Sequence, residues 1–503
     1  MRKRILSGLF IGSLFVSMMP GALAGGESFY VSDYQECENS GSRKSGKRET
    51  PIVLPIKSEE PEEDRSEWEH YYNDTDEIFT FVPESCDVVE DTETAVSVVE
   101  KMANELTDEQ KRSPTGIDLA TLYAETASMR AASRVISEKE ITVTAASVSD
   151  LQQIAERTNA AVESALNSNG VVTARELFNT VVLMTSSNEI IVHIDPDMLN
   201  SGVDNVRIET PAYALTIKLE ALDEELTEGL TFKAADMGSG YAPSKVIRNA
   251  KTSSVRVTLP KETMRNPVTV SVPKKSNDTT YQSVVSLSGQ STASKYNPAS
   301  GLIDAKVNAS GIYTVRTKRQ DFSDIANKSQ EMQKAIRYLA SKGIINGTTE
   351  TAFSPDGSIN RAEIATLIVK ALGKLDPTAV SGFTDVPAGS WYAAAAASSQ
   401  RQGYIQGFED HTFRGPTVIN KVQIISVSSR VLQKEMRYKA SAAPASILTK
   451  YSDTVDAWAQ SDVALATKEN LVLYRKDGTF SGRSNMTRGN AAIIIYRLFQ
   501  RLW

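Results

Sequence analysis

The sequence predicts a multidomain α+β protein of 503 residues, and three changes of pattern along the chain carry that prediction. Residues 27–100 hold 21 acidic and 6 basic side chains, a net charge of −15 (6 − 21). Residues 171–319 alternate apolar with polar side chains, which is typical of strands. From residue 320 onward, one helical pattern recurs three times. We therefore expect a disordered acidic segment, a helical segment, an antiparallel β-sandwich and an all-α repeat unit, in that order.

The first 24 residues have the pattern of a cleaved secretion signal. A basic start at 2–4 precedes an apolar run at 5–19 that is too short to span a bilayer comfortably. Residues 22–24, Ala-Leu-Ala, then supply the small side chains that a signal peptidase accepts. A retained N-terminal anchor is the alternative. No later run approaches about 18 apolar residues, so no membrane span is expected after signal cleavage.

Residues 25–91 are predicted to be disordered, because like charges repel and too few branched apolar side chains are present to offset the entropy of ordering. Cys37 and Cys86 frame most of this segment and either form one disulfide or remain two thiols. The three histidines are far apart in sequence, which argues against a zinc site. Neither a metal nor another cofactor is therefore expected. The net charge of −7 says little about partners, and no nucleic-acid partner is expected.

Residues 92–170 are predicted to be helical, with Leu151 and Ala155 on one face and Asn169-Gly170 as a stop signal. Residues 171–319 are predicted to be an antiparallel β-sandwich, because short alternating runs are separated by proline and by clusters of Asn, Ser and Gly. The runs are 206–208, 214–219, 255–259, 268–272 and 312–315.

No set of residues in the middle of the chain has the spacing of a catalytic site. Neither a Ser/His/Asp set, a Cys/His pair nor a glycine loop for phosphate is recognisable. His193 is followed by Asp195 and Asp197 around a proline, which favours a turn over a weak Ca²⁺ contact. The chain is therefore predicted not to be an enzyme, although a hydrolase in this middle region stays open.

The repeated pattern has three ordered parts in each copy. A Phe-x-Asp opening comes first, with Tyr451 in place of phenylalanine in the third copy, then a helix, then a loop with an aromatic residue. The opening carboxylates are Asp324, Asp385 and Asp453, and the loop aromatics are Phe353, Phe413 and Phe480. Trp391 and Trp458 head the helices of the later copies. The helices stop at Gly343, Gly403 and Asn470, which suit the left-handed position beyond a helix end.

A second helix in each copy begins with a tetrad: 360–363, 420–423 or 487–490. In the first two tetrads, Asn followed three residues later by Glu or Gln predicts a capping box. The second position is basic in every tetrad: Arg361, Lys421 and Arg488. A cation in the first turn opposes the helix macrodipole, so a compensating benefit is expected. A bound anion supplies one, because free N–H groups and the cation converge on it.

These elements resemble the S-layer homology domain family. The resemblance rests on the Phe-x-Asp openings, on 343–347 and 403–407, and on the tetrads, and it divides the chain into a first copy (320–379), a second copy (380–442) and a third copy (443–503). It implies a pseudo-threefold helical unit that attaches exported proteins non-covalently to secondary cell-wall polysaccharide, often pyruvylated. The residues implied to bind polysaccharide are Arg361, Lys421, Arg488, Asp324, Asp385, Asp453, Trp391, Trp458, Gly347 and Gly407.

Two departures from the family pattern weaken the later copies. Lys421 is a point charge that cannot make the bidentate contact of arginine, so the second copy is expected to be mainly structural. The third copy has Leu471-Val472-Leu473 where the family has a glycine loop. Trp391 and Trp458 either stack on sugar rings or pack between copies. The predicted function is a secreted, cell-surface protein that displays a non-catalytic β domain; the alternatives are an anchored hydrolase and a subunit of the surface lattice. The oligomeric state stays open.

Overall fold

The computed structural model describes residues 91–221, 229–237, 254–260 and 267–502. The predicted signal peptide, almost all of the predicted disordered segment, both cysteines and His70 lie outside the described residues. Within those ranges the chain is a mixed α/β protein with two sheets followed by a helical region. No described helix is both long enough and apolar enough to cross a membrane.

The helices are α1 Thr92–Glu105, α2 Asp108–Arg112, α3 Pro114–Ala131, α4 Ala145–Ser168, α5 Gln330–Ser341, α6 Arg361–Ala371, α7 Ala393–Arg401, α8 Lys421–Met436, α9 Pro444–Leu448, α10 Gln460–Lys468 and α11 Arg488–Arg501. The strands are β1 Ser133–Ile136, β2 Glu140–Val143, β3 Thr180–Thr185, β4 Glu189–Ile194, β5 Asn205–Glu209, β6 Ala214–Lys218, β7 Leu230–Asp236, β8 Val255–Thr258, β9 Val268–Pro273, β10 Gln282–Ser286, β11 Ser294–Asn297, β12 Leu302–Val307 and β13 Gly311–Thr317.

The described strands form two mixed sheets, so the prediction of a purely antiparallel β region was wrong. One sheet has the order β1-β3-β5-β6-β9-β12-β11 and the other β10-β13-β8-β7-β4-β2. The pairs β1–β3, β3–β5 and β2–β4 are parallel, and the remaining pairs are antiparallel. The parallel pairs arise because the chain alternates between the sheets from β1 to β5, so that every second strand runs in the same direction.

Strands β1 and β2 lie inside the segment 92–170 that the sequence predicts to be helical. Each has only four residues, too short for a period of two to stand out between α3 and α4. The helical part of that prediction holds: Leu151 and Ala155 of α4 are buried, and the helix ends at Ser168, next to Asn169-Gly170. The two sheets and α1–α4 are called the two-sheet domain below.

One hydrophobic core lies between the sheets and contains side chains of both. Val181 and Val206 of the seven-stranded sheet share it with Val192 and Phe232 of the six-stranded sheet, each fully buried. A second cluster joins α1, α3 and α4. The outer face of the seven-stranded sheet is polar in part, and it lies against the helical region.

Residues 321–502, called the repeat unit below, have a core of their own. The predicted capping boxes at Asn360 with Glu363 and at Asn420 with Gln423 are confirmed in α6 and α8. The predicted left-handed residues beyond the first helix of each copy are also confirmed, since φ is 69° at Gly343 and Gly403 and 58° at Asn470.

The long helices of the repeat unit end against lysines of the seven-stranded sheet. The Lys218 ammonium donates to the Glu435 carbonyl near the end of α8 (3.3 Å), and Lys295 donates to the Gln500 carbonyl near the end of α11 (2.7 Å). Lys306 packs against Gly373, just beyond α6. A side chain at Gly373 would place its Cβ 2.6 Å from the Cβ of Lys306. Because a helix C-terminus carries a partial negative charge, the Lys218 and Lys295 ammonium groups stabilise the contact, whereas the Lys306 ammonium donates to the Thr269 hydroxyl.

Asp118 of α3 connects the same surfaces. Its carboxylate accepts a hydrogen bond from the Tyr438 hydroxyl (2.7 Å) and forms an ion pair with Arg501, near the end of α11. Arg437, just after α8, donates to Asp204 of the two-sheet domain with both of its terminal nitrogens. The two-sheet domain and the repeat unit are therefore joined by charged contacts whose partners lie more than 200 residues apart in sequence.

Several lysines near this contact and in the repeat unit have lowered pKa values because burial disfavours their charged form. The pKa falls to about 7 for Lys342 and Lys421 and to about 8 for Lys295 and Lys306. In the unfolded chain these lysines titrate near 10.5.

We therefore expect the free energy of unfolding to rise between pH 8 and about pH 9.5, because the unfolded chain binds more protons than the folded chain in that window. Chemical denaturation of the full chain at several pH values measures this change. The pKa of buried tyrosines such as Tyr213 lies above the ordinary value of 10, so their opposite effect begins only above the window. A free energy of unfolding that falls across the window would contradict the prediction.

Candidate functional site

The Phe-x-Asp carboxylates hold the aromatic loops of the repeat unit in place. The two oxygens of Asp385 accept from the backbone N–H groups of Phe413 (2.6 Å) and Arg414 (2.7 Å). Asp324 and Asp453 bind their own loops in the same way. The second residue bound is left-handed in every copy: φ is 60° at Ser354, 57° at Arg414 and 52° at Ser481. These three carboxylates, predicted to bind polysaccharide, thus lie with their oxygens directed into the loops.

Each second helix begins against the loop of the next copy. The N–H groups of Arg361, Lys421 and Arg488 donate to the carbonyls of Thr417, Ser484 and Gly357, at 2.9, 2.9 and 2.8 Å. Next to these contacts the Ile359 N–H donates to Met486, the Met486 N–H to Ile419 and the Ile419 N–H to Ile359, at 3.1, 2.9 and 3.1 Å. The three copies therefore close a ring, and each tetrad cation lies in a groove between two copies.

The grooves are named by their cations. The first groove lies at Arg361 between the first and second copies, and the second groove lies at Lys421 between the second and third. The third groove lies at Arg488, where the third copy meets the first.

Gly347 and Gly407 are needed for packing close to these grooves. A Cβ at Gly407 would lie 2.4 Å from the Phe383 ring, and one at Gly347 would lie 2.3 Å from the Thr349 carbonyl oxygen. Because φ at Gly407 is 79°, another residue would also be strained there. Both glycines allow the chain to pass close to the aromatic ring of the Phe-x-Asp opening, and a role in binding polysaccharide stays a prediction.

In the first groove, Arg361 lies between aromatic rings and has no ion pair with any described residue. Its guanidinium carbon is 5.1 Å from the Phe408 ring centre and 5.5 Å from that of Phe413. The side chain is 9% exposed, and its buried Nε has no hydrogen-bond partner. A buried N–H without a partner is costly, and the described residues supply no acceptor for it.

The charges around Arg361 add to the cost of its buried cation. Burial, followed by the neighbouring cations Arg430 and Arg414, lowers the pKa of Arg361 to about 10, while Asp385 raises it by less. Arg361 therefore keeps its charge at neutral pH in a site that destabilises that charge. A bound carboxylate would relieve both the burial and the repulsion.

In the second groove, the Lys421 ammonium is occupied by contacts within the protein. The ammonium donates to the Leu473 carbonyl and lies 5.1 Å from the centre of the Phe480 ring, and the residue is 1% exposed. Burial lowers the pKa of Lys421 to about 7. A cleft of about 480 Å³ lies beside it, with Asp453, Asp456 and Arg483 in its wall.

In the third groove, Arg488 has internal partners for all of its nitrogens. Nη1 pairs with Glu363 Oε1 (3.1 Å), Nε donates to the Phe353 carbonyl (3.1 Å) and Nη2 donates to the Asn346 carbonyl (3.0 Å). The three tetrad cations therefore occupy equivalent positions but differ in their hydrogen-bond and ion-pair partners.

A model of the S-layer homology domain family matches residues 321–365 and 450–492, which carry the opening, loop and tetrad of the first and third copies.

The chain carries S-layer homology domains.

Relatives of this chain match it over only part of their length. An amylopullulanase of Thermoanaerobacterium thermosulfurigenes is 26% identical over 324 residues, which are 62% of this chain and 17% of that protein. An exoglucanase of Acetivibrio thermocellus is 30% identical over 37% of this chain and 17% of its own. A cellulosome-anchoring protein of the same species is 30% identical over 26% of this chain and 29% of its own. The chain thus spans less than a third of each relative.

Two conclusions follow from these matches. The S-layer homology domains and the surface proteins that share them place this protein outside the cell, associated with the cell wall. The amylopullulanase alignment is also longer than the repeat unit, so the similarity extends into the two-sheet domain.

The two tryptophans Trp391 and Trp458 of the repeat unit are exposed, at 65% and 58%. Trp391 packs edge-on against Tyr392 (5.4 Å between ring centres), and Tyr392 stacks with Phe413 (6.0 Å), which also lies beside Arg361. A continuous row of rings thus runs from the first groove to the surface. The exposure argues against tight packing between copies, which was the alternative.

Sequence reasoning missed Phe408, Tyr392 and the pairing of Glu363 with Arg488. Phe408 follows Gly407 and could have been suspected as an aromatic next to a predicted site residue. The pairing of Glu363 joins residues 125 positions apart, and no local pattern indicates it. In the middle region, Asp195 caps the 3₁₀ helix Pro196–Asn200, and Asp197 accepts from the Ala145 N–H (3.0 Å), so the predicted turn is confirmed.

Proposed function

We propose that the protein is anchored to the cell wall through the first groove, where Arg361 binds a carboxylate of an acidic wall polysaccharide. The observation that carries this proposal is the Arg361 guanidinium, which lacks an ion-pair partner among the described residues and lies between ring faces. A ketal-linked pyruvate supplies the kind of carboxylate that arginine holds with two parallel hydrogen bonds. The exposed ring of Trp391 offers an apolar face for the adjoining sugar.

In this proposal the three copies are three S-layer homology domains arranged about a pseudo-threefold axis. The closed ring of backbone hydrogen bonds supports that arrangement, and the second copy repeats the geometry of the two copies that the family model matches. The two-sheet domain is a sandwich of mixed sheets. Its role is to be displayed at a fixed orientation to the wall. The charged contacts at Asp118 and Lys295 support a fixed orientation.

An anchored hydrolase is the second candidate, and the similarity to an amylopullulanase beyond the repeat unit favours it. Against it, His193 of the two-sheet domain, which lies between the Thr231 hydroxyl (2.8 Å) and Glu140 (3.0 Å), is on the solvent-facing surface of a strand, with side-chain exposures of 35% for His193 and 62% for Glu140. Substrate sites are usually concave pockets instead. Incubating the full chain with wall fractions and with starch decides between the two. Release of reducing ends would overturn the non-catalytic role. A regular array on washed envelopes under negative stain would favour a lattice subunit instead.

We expect the full chain to sediment with purified walls and to lose most of that binding when the wall polysaccharide is extracted or its pyruvate is removed. The reason is that the proposed ligand group is removed while the peptidoglycan stays intact. High salt is expected to weaken binding as well, because partly exposed charge pairs are screened over about 10 Å at 0.1 M salt. Walls extracted in a mock treatment serve as the control. Undiminished binding to extracted walls would refute the proposal.

A further inference from the structure

The fourth residue of the first tetrad, Glu363, faces the cation of the preceding copy in the ring, and the residue type at this position differs among the three tetrads. Glu363 faces Arg488 in the third groove, as their 3.1 Å ion pair shows. By the cyclic order of the copies, Gln423 takes the equivalent place for Arg361 in the first groove, and Asn490 takes it for Lys421. One position is therefore acidic and the other two are neutral.

Glu363 uses its two oxygens for different purposes. Oε2 accepts from the Asn360 N–H (2.9 Å) and completes the capping box of α6, while Oε1 binds Arg488. Gln423 completes the capping box of α8 in the same way, accepting from the Asn420 N–H through its single oxygen (3.2 Å). Because capping needs only one acceptor oxygen, the cap does not require the negative charge of Glu363.

The charge of Glu363 instead occupies the place of a ligand. Its Oε1, with the carbonyls of Phe353 and Asn346, satisfies the whole Arg488 guanidinium. An acidic sugar would have to displace this carboxylate. Because Glu363 belongs to the same chain as Arg488, its contact costs no translational entropy, whereas binding of a free sugar does. In the first groove the residue at the equivalent position, Gln423, carries no charge, and Asp385, the carboxylate that raises the pKa of Arg361, has both oxygens bound to its own loop.

We propose that Glu363 is a specificity-determining residue that closes the third groove by acting as an internal carboxylate, and that Gln423 leaves the first groove open. Each chain then binds one acidic sugar, at Arg361. This inference rests on the proposed function, since it assumes that the ligand is a carboxylate bound by a tetrad arginine.

Exchanging the two side chains tests the inference. The probe is a methyl glycoside that carries a ketal-linked pyruvate, titrated calorimetrically into the full chain, with the unsubstituted glycoside as the blank. Glu363→Gln is expected to raise the number of sites from one to two, because Arg488 loses its internal partner while the cap is retained. Adding Arg488→Ala to that variant is expected to return the number to one. Gln423→Glu is expected to weaken binding at the first groove by roughly tenfold or more.

The outcomes separate this inference from the proposed function. One site in Glu363→Gln together with unchanged affinity in Gln423→Glu overturns the inference, and the proposed function survives if Arg361→Ala still abolishes binding. No binding of the probe by the wild-type chain or by any variant overturns the proposed function itself. Near-ultraviolet circular dichroism of both variants, matched to that of the wild type, shows that the grooves remain folded.

Discussion

Arg361→Ala is expected to weaken binding to purified walls by about 10- to 100-fold, because a charged hydrogen-bond donor contributes roughly 1.5–3 kcal/mol to a contact that no other side chain replaces. The helical content is expected to be unchanged. Arg361 makes no ion pair with a described residue, and burial together with Arg430 and Arg414 already disfavours its charge. Sedimentation with walls over a range of protein concentrations measures the affinity.

Two further variants control this experiment. Arg361→Lys keeps the charge and loses the planar fork, so an intermediate affinity is expected if two hydrogen bonds to a carboxylate matter. Arg134→Ala removes an arginine of β1 that pairs with Asp150 on the surface of the two-sheet domain, and it is expected to bind like the wild type. If Arg361→Ala binds walls as tightly as Arg134→Ala, the first groove is not the binding site.

Asp118→Ala is expected to lower the free energy of unfolding by about 3 kcal/mol. The substitution leaves the Arg501 guanidinium, whose side chain is 7% exposed, with the more distant Glu469 (4.0 Å) in place of its ion pair with Asp118, and it removes the acceptor of the Tyr438 hydroxyl. Because side-chain exposure of Asp118 is 21%, the effect should lie at the low end for a broken buried ion pair. Urea denaturation followed by tryptophan fluorescence measures it, since Trp391 and Trp458 lie in the repeat unit.

The matched control is Asp150→Ala, which breaks an ion pair whose partners are 39% and 61% exposed. Such a surface pair contributes at most about 1 kcal/mol, so little change is expected. Equal losses in the two variants would show that the Asp118 contact does not join the two-sheet domain to the repeat unit in solution.

Local features of the repeat unit could be predicted from the sequence because each depends on a few adjacent residues. The capping boxes at Asn360 and Asn420 need only a tetrad, and the left-handed residues Gly343 and Gly403 need only a helix end. The loop aromatics Phe353, Phe413 and Phe480 are also buried, and they could be predicted because the opening and the loop recur together in every copy, although the carboxylate that binds each loop lies 27 to 29 residues upstream.

Features that depend on distant residues could not be predicted. The parallel pairing of β1 with β3 is decided by the crossing of the chain between two sheets, and the four residues of β1 carry no sign of it. Likewise, Arg361, Lys421 and Arg488 stand at the same tetrad position, and the sequence ranked them by residue type alone. Their different states are decided by what faces them from the neighbouring copy, such as the Leu473 carbonyl for Lys421 and Glu363 for Arg488.

The backbone triangle of Ile359, Ile419 and Met486 makes the three copies interdependent. Each copy is donor to one neighbour and acceptor from the other, so removing any one of them exposes two surfaces and opens both adjacent grooves. Truncated units that contain only one or two copies are therefore expected to be unstable. The three copies are expected to be present or absent together, even where a single groove binds the ligand. A copy whose cation is bound internally, as Lys421 of the second copy is, would then be retained because the ring does not close without it.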